Sequence, residues 1–111
     1  MSESDFLVLA DVTLNAIEAA LERAANTSGL DVECSRSGNV LEIESIHNGS
    51  KIIVNSQALM QEMWVAAKSG GFHYKRVAEQ WINTRDGSEL FVALSGMVSG
   101  QADVSIVLHE E

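Results

Sequence analysis

Three carboxylates near the start of the chain, Asp11, Glu18 and Glu22, are spaced seven and then four residues apart. On a helix turning about 100° per residue they fall within about 20° of one line. Glu3 and Asp5 precede them, and Asp31 and Glu33 follow on one side of an expected strand. A surface row of oxygens suits hard or borderline cations, Fe²⁺ among them, and selects weakly between them. With nothing to enclose the ion, waters stay on it and the affinity is on the order of micromolar at best. The same row is also what an amphipathic helix commonly shows to water. Spacing alone therefore permits a metal without requiring one.

Residue types exclude most other chemistry. Cys34 is the only cysteine. One thiol cannot form an internal disulfide or supply an iron–sulfur cluster or a structural zinc site. It reads as a small buried hydrophobe on a strand, in a reducing cytoplasm. The chain has no nucleophile motif, phosphate loop, His-Glu-x-x-His or Cys-x-x-Cys, so it reads as a binding protein and not an enzyme. Oxidation of Fe²⁺ is the enzymatic alternative. It needs clustered carboxylates such as the helical Glu and Glu-x-x-His sets of di-iron bundles. A metal-independent protein-interaction module is the second alternative.

The balance of 16 Asp and Glu against 7 Lys and Arg, a net charge of −9, narrows the partners. Nucleic acid and anionic lipid would repel such a chain, whereas metal ions and basic protein surfaces would attract it. No stretch of eighteen apolar residues could span a membrane. The acidic first residues have no basic n-region, which argues against a signal peptide and for a cytoplasmic protein.

The elements that must position these groups follow from periodicity. Phe6, Leu9, Ala10, Thr13, Leu14, Ile17, Leu21 and Ala24 recur at helical spacing and predict a helix over residues 4–25. Residues 31–36 and 40–47 read as strands around a Ser37-Gly38-Asn39 turn. Asn48-Gly49 signals a hairpin with two positive φ angles, and the returning strand is Lys51 to Asn55. A phase slip at Ser45-Ile46 predicts a β-bulge. The stretch 58–67 fits a helix slightly better than a strand. Residues 72–75 and 79–84 read as strands. A second helix is expected from Asp86 as cap, with Glu89 three residues on, to Gly100. The tail, 101–111, alternates Val104, Ile106 and Leu108, and should lie extended against the helices. Helix, strands, helix predicts one domain over 1–111, an α+β two-layer sandwich with both helices on one face of a mostly antiparallel sheet. The sheet's other face is left for water or a partner.

Asn48-Gly49-Ser50-Lys51-Ile52-Ile53-Val54-Asn55, Gln57, Met63-Trp64-Val65-Ala66 and Lys68-Ser69-Gly70-Gly71-Phe72-His73-Tyr74 are similar to the signature of the bacterial frataxins, the CyaY family. Trp81-Ile82 followed by Arg85-Asp86-Gly87 continues the resemblance. It implies the same sandwich with five or six strands, and makes residues 61–66 a strand against the period count. It also implies weak surface binding of iron (Fe²⁺ or Fe³⁺) along an acidic ridge, here Glu3, Asp5, Asp11, Glu18, Glu22, Asp31 and Glu33. Further, it implies a monomer that docks on cysteine desulfurase and the iron–sulfur scaffold as a regulator or iron donor. Glu18, Glu22, Lys51, Asn55, Gln57 and Trp64 are the partner-binding residues so implied. Trp64 would face solvent as an interface anchor, and Trp81 would pack inside. Relative to that family, Leu7, Ala19, Arg23, Ala25, Thr27 and Gly29 thin the ridge and imply weaker iron binding.

Overall fold

The computed structural model describes residues 1–110. Its elements run α1 (Glu3–Ser28), β1 (Val32–Ser37), β2 (Val40–Ser45), β3 (Lys51–Gln57), β4 (Glu62–Ala67), β5 (Gly70–Val77), β6 (Gln80–Asn83) and α2 (Leu90–Ala102). The six strands form one sheet in the order β1-β2-β3-β4-β5-β6, and all five neighbouring pairs are antiparallel. Both helices pack against this sheet, α1 over β1 and β3, α2 over β6 and β3. None of the described helices is long and apolar enough to cross a membrane.

α1 starts at Ser2, whose Oγ accepts from the Asp5 N–H at 3.0 Å, and stops at Gly29 with φ 71°. Glycine takes this left-handed angle without steric cost, so the helix can end there. Its inner stripe, Phe6, Ala10, Leu14, Ile17 and Leu21, is buried against Leu41, Ile43, Ile52, Val54, Met63 and Val65 of the sheet. Trp81 is 1% exposed and fills the middle of this core. Its Nε1–H donates to Thr13 Oγ1 at 2.9 Å, and its ring meets the edge of Phe6 at 6.0 Å.

Three local expectations are corrected, and the strand that the resemblance implies over 61–66 is found as β4. There is no bulge at Ser45: β2 pairs regularly on both sides, Ser45 is buried in phase, and Ile46 leaves the strand as an exposed turn residue. At the β2–β3 turn only Gly49 has positive φ, 71°; the loop closes through Gly49 N–H to Ser45 O at 2.7 Å. Residues 62–67 form β4, while Leu59 and Met60 sit exposed in the turn before it, so the helical period was a coincidence of tip and strand residues. α2 is capped by Glu89, whose carboxylate accepts from Phe91 and Val92 N–H, and it runs through Gly100 to Ala102, with Asp103 as its left-handed C-cap. Asp86 instead accepts from Ser88 N–H and Oγ–H, which hold its carboxyl below the usual range. The tail lies as expected, with Ile106 and Leu108 buried and tied to α2 through Ser99 and Ser95. Glu111 lies outside the described residues.

Candidate functional site

The expected site residues divide between one edge of the sheet and its open face. The first is the edge where α1 lies beside β1. The strand alternates, so Val32, Cys34 and Arg36 turn inward to the helix while Glu33 and Ser35 turn out. Glu18 and Glu22 of α1 share a groove with Val32 and Cys34.

Arg36 changes what this edge can do. Its Nη2 donates to Asp11 Oδ1, and its Nη1 donates to Asn15 Oδ1 at 2.6 Å and lies 3.4 Å from Glu18 Oε1. Its Nε donates to the Gly38 carbonyl at 2.8 Å. Two of the three aligned carboxylates are therefore engaged by an internal guanidinium. Glu22, Asp31, Glu33, Glu3 and Asp5 are exposed and form no ion pair among the described residues. Glu3 and Asp5 lie at the far end of α1, about 25 Å from Glu22 at 1.5 Å per residue. Among the described residues no three His, Cys, Asp or Glu side chains come together to hold a metal. The seven expected ligands are thus a dispersed acidic surface and do not form one centre. The chain's Glu-x-x-His run, Glu44 to His47, spans the end of β2 and its turn, not a helix face.

Arg36 is one of two residues that sequence reading missed. Its signal was strand parity: a basic residue four positions after Val32 and two after Cys34 must share their inward side and meet the helix acids. Arg23, expected to thin the ridge, donates to the His109 carbonyl at 2.9 Å and holds the tail.

Cys34 is half-buried in the groove, and burial, followed by the nearby Glu18, pushes its thiol up to about 11. The sign is definite. The fold favours the neutral thiol, so this contribution is complete below the ordinary 9.0 and is lost as pH rises through about 11. Iodoacetamide is expected to label folded protein at pH 8 roughly a hundredfold more slowly than an ordinary thiol. In urea melts, stability should fall between pH 9 and about 11 more in the natural chain than in Cys34→Ala. Equal labelling of folded and unfolded chain would contradict this.

The second surface is the sheet's open face. Asn55 pairs directly with Trp64, and Trp64 with His73, while Gln57 pairs with Glu62. Trp64 is half-buried. Its indole stacks on the His73 imidazole with centroids 4.3 Å apart and planes 6° apart. Beneath them lies a carboxylate that sequence reading did not single out. Glu62 is 4% exposed, and its Oε1 accepts from Trp64 Nε1–H at 2.8 Å and sits 3.5 Å from His73 Nδ1. Lys75 Nζ is 3.9 Å from Oε2. Alternation could have placed Glu62 beside Trp64 on this face, but nothing in the sequence told that it would be covered. Lys51, on the same strand face as Asn55 and Gln57, is taken up by Glu42 at 3.4 Å. Glu62→Ala is expected to cost about 2 kcal/mol and to abolish the near-UV circular dichroism of the stacked pair. Glu62→Gln keeps the acceptor and should retain the signal.

Two helices packed on a six-stranded antiparallel sheet is the fold of the frataxins. Residues 1–104 match the family model of the frataxin-like domain, and the chain belongs to that family. A relative from Herminiimonas arsenicoxydans, named iron-sulfur cluster assembly protein CyaY, is 69% identical over 110 residues, covering 99% of this chain and 98% of its own. One of the same name from Cupriavidus taiwanensis is 59% identical, covering 98% and 97%. The solved frataxin of Psychromonas ingrahamii superposes with a TM-score of 0.88 at 32% identity, over 99% of this chain and 100% of that one. Trimeric frataxin of Saccharomyces cerevisiae, solved complexed with ferrous, shares the fold at a TM-score of 0.72 and 22% identity, covering 85% of each chain.

Proposed function

We propose that this chain serves iron–sulfur cluster assembly as a non-enzymatic cytoplasmic regulator. In this reading it docks on cysteine desulfurase through the α1–β1 edge and meets the scaffold through the open face. The observation that carries it is the set of exposed carboxylates Glu22, Asp31 and Glu33, without ion pairs among the described residues, at one edge of a chain with net charge −9. Relatives named as assembly proteins across their full length support the same reading. A basic partner surface gains long-range steering and contact energy there without any enclosed pocket.

Iron is the modulator in this scheme, carried as cargo. Oxygen donors of the Glu22 type suit Fe²⁺, but one or two open carboxylates hold it weakly. Iron donation and ferroxidase activity are weaker readings, because two of the aligned acids are already committed to Arg36. Repulsion between copies favours a monomer. Pull-down with purified cysteine desulfurase, with and without Fe²⁺ at two ionic strengths, tests the proposal. Capture at low salt without metal is expected, and capture that needs iron and ignores salt would refute it.

A further inference from the structure

We propose that Arg36 decides what the acidic edge accepts, acting as an internal cation that withholds Asp11 and Glu18 from divalent metal ions. This rests on reading that edge as a cation-facing surface, and it concerns how the edge is regulated.

The guanidinium is held at all three nitrogens: Nε by the Gly38 carbonyl, Nη1 by Asn15 and Glu18, Nη2 by Asp11. Its side chain is 19% exposed, against 63% for Asp11 and 35% for Glu18. A fork with this many fixed partners is pre-organised, unlike a solvent-exposed pair between two long side chains. Its position is set by the backbone, because β1 parity directs residue 36 to the helix and the tight turn at Gly38 returns a carbonyl to Nε.

A divalent ion approaching Asp11 or Glu18 must therefore expel the fork or bind beside a like charge. Glu22 lies one turn beyond the fork and stays open. The edge as built thus presents carboxylates to a basic protein while setting a like charge beside any metal ion that approaches Asp11 or Glu18.

Mn²⁺, a stand-in for Fe²⁺ that does not oxidise readily, is titrated calorimetrically against the full chain at 0.15 M salt. Arg36→Leu is expected to bind it roughly tenfold more tightly, since a positive charge leaves the vicinity of a doubly charged ion. Adding Asp11→Asn and Glu18→Gln to that variant should return the affinity to the natural value. The same two changes with Arg36 present should weaken binding by no more than about threefold, the effect of two remote charges in salt. An Arg36→Leu variant with native circular dichroism and unchanged Mn²⁺ affinity overturns the proposal. So does a tenfold or greater loss on changing Asp11 and Glu18 with Arg36 in place, an arm that decides even where Arg36→Leu loosens the fold. Desulfurase capture by these proteins without metal reports separately on the proposed function.

Discussion

Truncating Trp81 to Ala is expected to remove about 4 kcal/mol of stability, the largest loss available from one side chain in this core. The ring is 1% exposed and joins elements distant in sequence, with Phe6 against it, Thr13 accepting its N–H and the Arg76 guanidinium 5.4 Å from its centroid. Deleting it leaves a cavity that α1 and β6 cannot close without losing their register. Small domains are stable by only about 5–15 kcal/mol, so the variant should sit near its folding limit. Trp81→Phe keeps most of the volume and gives up chiefly the hydrogen bond to Thr13, and should lose about 1–2 kcal/mol. Urea melts at constant m-value measure both. A Trp81→Ala chain within 1 kcal/mol of the natural one would show that this ring is not the keystone of the core.

The second large effect is on docking. Reversing Glu22 to Lys replaces attraction to a basic surface by repulsion, expected to weaken desulfurase binding about tenfold at low salt. Reversing Glu33 as well should bring the loss to roughly a hundredfold, and at 1 M salt, where the Debye length is about 3 Å, most of the difference should vanish. Glu22 and Glu33 are exposed and make no ion pair among the described residues, so these changes should leave the melting transition nearly unmoved. Surface plasmon resonance across a salt series separates the cases. Binding unaffected by either reversal would remove the α1–β1 edge from the interface.

Much of this was legible in the chain. The apolar stripe of α1 gave its buried face nearly residue for residue, because a long amphipathic helix states its own periodicity. Trp81 and Trp64 were correctly assigned inward and outward, the second through the resemblance and not through any local signal. Boundaries failed where side-chain chemistry had more than one use. Ile46 is apolar yet lies in a turn, so it mimicked a slipped strand. Asp86 has the right chemistry for a helix cap but spends it on Ser88. The helix spacing of Asp11, Glu18 and Glu22 was sound, but it could not show that a residue on another element claims two of the three. Pairings between elements are set by sheet order and parity together, and only the parity is written locally.

The sheet order gives Asp31 and Glu33 a further duty. β1 lies at the rim of the sheet, with one row of backbone donors and acceptors unclaimed by any strand among the described residues. Such a rim is a template on which another molecule's strand can zip, and charge along it is what discourages the match. Lysine discourages it as well as glutamate does, whereas alanine or glutamine would not. Reversing sign is therefore the safer way to probe this edge: neutralising it risks turning a solubility guard into a seed for fibres.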